Sequence, residues 1–261
     1  MVLKIDKIIQ IILLLIKIII IMDIYTLFKT CKDKYKLLKV LKQKPDLNFQ
    51  NDNDDGDGDG DTIALCAFRH CYDKEILLKV LKQKPDVNFQ DYHGYTIAMI
   101  AFGHNDKDII LEVLRQKPDL NIKDEYENTI AMLAFQFRKD KEILLEVLKQ
   151  KPDLNIQNEY GYTIVMNIFK YCDDKDILLE LFKQKPDLTI KNCYYKTALD
   201  YALEYYIKSP NFEFDILEKL YIENCKQDKQ LVNLNYISIK RKYKVLPLVL
   251  FRHQKRYGDK N

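Results

Sequence analysis

At 261 residues the chain is longer than a usual globular domain; 47% of it is apolar, 31% is charged, and the net charge is +3. That charge by itself calls for no polyanionic partner. The six cysteines (Cys31, Cys66, Cys71, Cys172, Cys193 and Cys225) form no CxxC pair and no framework spacing, which excludes a small disulfide scaffold and predicts reduced, intracellular thiols.

Residues 1–22, MVLKIDKIIQIILLLIKIIIIM, open the chain with a basic start and an apolar run. No small-residue cleavage site comes after it, as a signal peptide would require. Ile8 to Met22 is 15 residues, interrupted by Gln10 and Lys17, against roughly 20 for a membrane span. A third reading is that translation begins at Met22, giving MDIYTLFKTCKDK as a natural cap. On that reading a membrane partner arises only if residues 1–22 are made.

One phrase then recurs five times, at Lys44-Pro45-Asp46, Lys84-Pro85-Asp86, Lys117-Pro118-Asp119, Lys151-Pro152-Asp153 and Lys185-Pro186-Asp187, with prolines 40, 33, 34 and 34 residues apart. Thr62, Thr96, Thr129, Thr163 and Thr197 keep the same beat. A period of this size predicts a solenoid, which grows along one axis and need not split into domains. Within a unit, the threonine is an N-cap before two turns of helix rich in Ala, Met and Phe. Asp33, Asp73, Asp106, Asp140 and Asp174 stand where a second helix begins, capping it and complementing its dipole. That helix carries an apolar stripe: Ile109, Ile110, Val113 and Leu114 in one unit, Leu77, Val80 and Leu81, Leu144, Val147 and Leu148, or Leu178, Leu181 and Phe182 in others. The proline ends it, placing Lys117 as the last or next-to-last helical residue. Asp119-Leu120-Asn121-Ile122 then runs partly extended to the next turn. Two short helices cannot bury such a stripe alone, so neighbours must stack.

The pattern Asp91-Tyr92-His93-Gly94-Tyr95-Thr96, then Ala101, then Asp119-Leu120-Asn121 resembles the ankyrin repeat over about residues 23–224, some six units including caps. The resemblance implies an all-α solenoid of helix-turn-helix units with short β-hairpin loops. The Lys-Pro-Asp-Leu-Asn-Ile phrase and the Lys/Ile/Asn/Tyr-heavy composition are most similar to ankyrin families of giant viruses of amoebae. There are departures. The family's Thr-Pro-Leu-His box is Thr-Ile-Ala-Met at 96–99 and 129–132 and Thr-Ile-Val-Met at 163–166, and Lys-Pro-Asp replaces Gly-Ala-Asp. The turn glycine, kept at Gly94 and Gly161, is Glu127 and Tyr195 elsewhere, where a positive φ would be costly. Looser stacking than in consensus-like members is the expectation.

Residues 51–61, NDNDDGDGDGD, replace a five-residue turn such as 91–95 and superficially resemble a calcium loop. The bidentate Glu is missing in each frame, position twelve being Ala64, Thr62 or Cys66, so the insert reads as a disordered Gly-Asp expansion of a loop tip. Cys66, His70 and Cys71 could supply two zinc ligands but lack a matching second pair; a core Cys66 and an exposed His70 explain them more cheaply. With no nucleophile–base set, phosphate loop or His-Glu metal box, no enzyme, cofactor or metal site is expected.

The loop tips are the candidate partner-binding site: Tyr92, His93, Tyr95, Tyr126, Tyr160, Tyr162, Tyr194 and Tyr195. In the ankyrin family such tips and the inner helix face grip partners, and tyrosine buries a large area with few rotors. Tyr126, Tyr160 and Tyr194 are expected to be exposed; for Tyr95 and Tyr162, stacking on the next loop and exposure stay open. From Lys226 onward ten Lys/Arg face two acids, a surplus of eight, which against a total of +3 leaves −5 for the first 225 residues. Lys240-Arg241-Lys242-Tyr243-Lys244 offers a nuclear or nucleic-acid patch, against the blander reading of a solvated end that we favour, and Leu246 to Phe251 could close the last repeat. The expected organisation is an apolar segment at 1–22, a repeat array at 23–224 and a basic tail at 225–261. The resemblance implies a monomeric adaptor that binds a host protein in the host-cell cytoplasm; the alternative, should residues 1–22 be made and act as an anchor, is a membrane-tethered adaptor.

Overall fold

The computed structural model describes residues 2–30, 33–50, 60–104, 106–137, 140–208 and 214–227. The acidic stretch 51–59 and the basic tail from 228 lie outside them, as do the calcium and nucleic-acid readings attached to those segments. The described chain is all-helical: α1 (Val2–Thr30), α2 (Lys34–Lys42), α3 (Ile63–His70), α4 (Lys74–Leu81), α5 (Ile97–Gly103), α6 (Lys107–Arg115), α7 (Ile130–Phe137), α8 (Lys141–Lys149), α9 (Ile164–Tyr171), α10 (Lys175–Lys183), α11 (Ala198–Lys208) and α12 (Phe214–Gln227).

Two compact units, Met1–Glu125 and Tyr126–Asn261, divide these helices. In the first, α1, α3 and α5 pack as one row and α2, α4 and α6 as a second. In the second, α7, α9 and α11 form one row and α8, α10 and α12 the other. Each unit is a stack of helix pairs, the build of an all-α repeat solenoid. The expected stripes are buried, and Phe68, Phe102, Phe135 and Phe169, six residues after successive threonines, are fully enclosed.

The caps agree with the sequence pattern. Thr62, Thr96, Thr129 and Thr163 accept backbone N–H groups of their first turns, and Asp33, Asp73, Asp106, Asp140 and Asp174 do the same for the second helices. Thr197 differs: its N–H and hydroxyl both donate to Asp200. The second helix stops earlier than expected. α6 ends at Arg115, Gln116 caps it, and Lys117 takes φ 54°. The lysine before each repeat proline does likewise, with φ between 51° and 56°, and the Lys117 N–H closes on the Leu114 carbonyl at 2.9 Å. This is the left-handed cap usually given to glycine.

The phrase between the helices is stacking chemistry. Asp46, Asp86, Asp119 and Asp153 each accept the N–H two residues on, closing a local turn. The Asn of the same phrase then reaches the next repeat: Asn48 accepts from Asp86 N–H, Asn88 from Asp119 and Asn155 from Asp187, at 2.7–2.9 Å. Gln83, Gln116 and Gln184 donate to the carbonyls of Leu41, Leu81 and Leu148 in the preceding repeats. Lys34, Lys74 and Lys141 each bridge two acids at the start of the next second helix.

Glu127 and Tyr195 adopt positive φ, 59° and 58°, so both stand in the costly conformation that glycine takes at Gly94 and Gly161. Two expectations are corrected. The loops hold no strand among the described residues, only isolated bridge residues such as the antiparallel pair Gln50 and Thr62, because side-chain-to-backbone turns replace a ladder. Cys71, buried at the end of α3, is disulfide-bonded, so the thiols are not all reduced and Cys71 is not free to bind zinc. Cys66 is also buried, and that burial pushes its thiol up to about 12.

Candidate functional site

Three of the loop tips are built on a buried or half-buried Asx six residues past the repeat proline. Asp91 Oδ1 accepts the N–H groups of His93 and Tyr95 at 2.9 and 2.8 Å. Asn158 does this for Tyr160 and Tyr162, and Asn192 for Tyr194 and Lys196. One side-chain oxygen thus sets the direction of two tip residues. Successive tips are tied by their backbones, Glu159 N–H to the Tyr126 carbonyl at 3.3 Å and Cys193 N–H to that of Tyr160 at 3.0 Å. The tyrosine row is therefore held at its base while the rings stay out.

In the 126–261 unit the tips and the end of α9 enclose an open groove of about 330 Å³, lined by Tyr126, Tyr160, Tyr162 and Tyr194 together with Asn167 and Lys170, among others. Tyr126, Tyr160 and Tyr194 are 48%, 53% and 63% exposed. Tyr162 is half-buried, edge-on to Tyr194 at 6.5 Å and tilted against Tyr201 at 5.6 Å. A hydrogen-bonded chain supports it from below: Asn192 Nδ2 donates to the Tyr201 hydroxyl at 2.8 Å, and Tyr201 donates to the Tyr162 hydroxyl at 2.9 Å. Burial, then the Tyr201 bond, pushes the Tyr162 phenol up to about 12, so it stays protonated. The neighbouring Glu159 carboxylate raises the Tyr160 phenol as well.

Asn167 and Lys170 are among the groove residues that escaped the sequence reading. Asn167 is only 6% exposed, lines the groove, and its amide has no hydrogen-bond partner among the described residues. Leaving a primary amide buried and unpaired costs about 1–3 kcal/mol. Lys170 lies over the rings of Tyr162, Tyr171 and Tyr201 at 5.1, 5.0 and 5.9 Å. A signal for Asn167 was in the repeat: four residues past the threonine, it stands where Ile100 and Leu133 stand in other units.

The remaining predicted tip residues do not line this groove. Tyr92 is exposed with its ring against Gly60, and His93 faces Glu125 at 3.4 Å. Tyr95 is half-buried, and Tyr195 is 84% exposed. Asp61, the last acid of the insert, is buried and bonded to Arg69, which also reaches Asp91. Elsewhere α1 exposes Ile11, Ile12, Leu13, Ile16, Ile19 and Ile20, yet among the described residues no helix is long and apolar enough to cross a membrane.

No family model and no curated protein matches the chain. Among solved structures 426 chains match, and a scaffold so widely shared does not name an activity. One is from the complex of a predatory endopeptidase from Bdellovibrio bacteriovorus with an immunity protein: 23% identical, TM-score 0.55, covering 75% of this chain and 96% of that one. This corrects the expectation that the chain is no enzyme, since the solved complex of like fold contains an endopeptidase. At that identity the likeness carries the fold and neither protein's activity, and the lack of a catalytic motif no longer excludes catalysis.

Proposed function

We propose that the chain is an ankyrin-repeat protein that holds another protein in the tyrosine groove of its 126–261 unit, acting as a scaffold or adaptor. The observation that carries this reading is the row Tyr126, Tyr160 and Tyr194, repeated at 34-residue intervals and exposed above half-buried Tyr162. Large rings anchored through their backbones lose little freedom on binding, and an amphipathic ring suits an interface that is part apolar and part wet. The ankyrin reading is supported by the 33–34-residue period, the threonine caps and the left-handed turns at Gly94, Glu127, Gly161 and Tyr195. The composition shared with giant-virus ankyrin families makes a host protein, met in the host-cell cytoplasm, the partner we propose.

The test is quantitative co-purification of the natural, C-terminally tagged protein beside its Tyr160→Ala variant. We expect a stoichiometric protein partner with the parent and its loss from the variant, at unchanged helicity by circular dichroism. Melting of the variant would make Tyr160 a structural residue. A partner retained by Tyr126→Ala, Tyr160→Ala and Tyr194→Ala alike would move the site off this groove.

A further inference from the structure

We infer that the groove seats an acidic side chain, Asp or Glu, of the bound protein segment, between the Lys170 ammonium, the Asn167 amide and the Tyr162 hydroxyl. This rests on the groove being the interaction site. The first support is charge. Seven residues past the repeat threonine, Arg69 is bonded to Asp61 and Asp91, and Glu204 is bonded to Lys196 at 2.7 Å. Lys170 occupies the same position in its repeat and has no carboxylate in ion-pair reach among the described residues. Glu159 also lines the groove but lies beyond that distance.

The polar groups beside Lys170 point the same way. Tyr162 accepts the Tyr201 proton, which leaves its own O–H to donate outward. Asn167 brings two N–H donors into a wall where neighbouring repeats place Ile100 and Leu133, and a buried amide without a partner marks a place where one is expected. Ammonium, phenol and amide donors together match a carboxylate. A cationic ligand is disfavoured, because Lys170 already stands over the Tyr162 and Tyr171 rings and its charge would repel a second cation there.

The probe is an array of short synthetic peptides with randomised flanks and a central Glu, Gln, phosphoserine or Lys, read with the full chain and with Lys170→Gln, Lys170→Arg, Asn167→Leu and Tyr160→Ala. We expect Glu-centred peptides to bind best and to weaken with added salt. Lys170→Gln should lower their affinity about tenfold and erase the preference for Glu over Gln, while Lys170→Arg keeps it. Asn167→Leu should weaken the same peptides without loss of helicity. Equal binding of Glu and Gln peptides, or a preference for phosphoserine or Lys, overturns the acidic-side-chain inference while leaving the groove standing, provided Tyr160→Ala still abolishes binding. Binding indifferent to Tyr160→Ala, or no binding by any peptide, overturns both.

Discussion

The side-chain oxygen of Asn155 accepts the backbone N–H of Asp187, the first residue past the next repeat's proline, at 2.9 Å. Asp187 in turn accepts the N–H of Thr189, so one residue type closes each turn and the next joins it to its neighbour. The recurring Pro-Asp-x-Asn phrase is therefore the fastening between repeats. Asn155→Ala removes the acceptor and should cost about 1 kcal/mol, seen as a lower midpoint in thermal denaturation with the groove residues untouched.

Backbone strain at the tips gives a prediction of opposite signs. Tyr195 sits at φ 58° without the freedom of glycine, so Tyr195→Gly should raise stability by about 0.5–1 kcal/mol. Gly161, at φ 74°, is confined: a Cβ there would stand 2.9 Å from Asn192 Cα, a backbone atom that cannot swing aside. Gly161→Ala should lose about 2 kcal/mol or more in urea titration.

Arg69 holds two buried carboxylates, Asp61 and Asp91, at the base of the insert-bearing loop. Arg69→Leu removes the cation that both carboxylates share and should destabilise the fold by about 3 kcal/mol. Adding Asp61→Asn and Asp91→Asn should restore most of that loss, since an Asn can accept the two tip N–H groups just as Asn158 does. Calorimetry on the single and triple variants measures both effects.

Acid sensitivity is expected from Asp73. Its hydrogen bond from Lys34, opposed by partial burial and helped by the Ile76 N–H, holds the carboxyl below the usual range. A group lowered in the folded state stabilises it above the unfolded pKa, about 3.9, and loses that contribution as pH falls through the folded value. Thermal midpoints should therefore drop below about pH 4, and Asp73→Asn should flatten that drop.

Leu148 is fully buried in the stripe of α8, so Leu148→Asp should abolish the cooperative unfolding transition by placing an unpaired charge among apolar neighbours.

The features legible in the sequence were those that repeat with a chemical reason: the Thr and Asp caps, the Ile/Leu/Val stripes, the proline that ends each second helix. Each depends on local backbone needs, which a one-dimensional pattern carries. The features that stayed hidden depend on which side chains meet. Asn167 stands in a column that holds Ile100 and Leu133 in other units, and the rings beneath Lys170 come from separate stretches of chain that only the fold brings together. Thr197 carries the cap residue but reverses its role, because Asp200 three residues on competes for the same turn. The Cys71 disulfide followed no motif in the sequence, and the left-handed Lys residues go against their intrinsic preference, each closing the helix end with its N–H on a carbonyl of the last turn.

Gln50 Nε2 donates to the Gly60 carbonyl at 3.2 Å, just as Gln90 does to Gly94 and Gln157 to Gly161 across ordinary five-residue tips. The neck of the long loop is thus closed by the same bond as the short ones, and the helices below receive the chain in the same register. An insertion between Gln50 and Gly60 thus leaves both anchor residues, and the helix that follows, as they stand in the short tips. A tag or second binding peptide grafted between those two anchors should leave the architecture underneath unchanged.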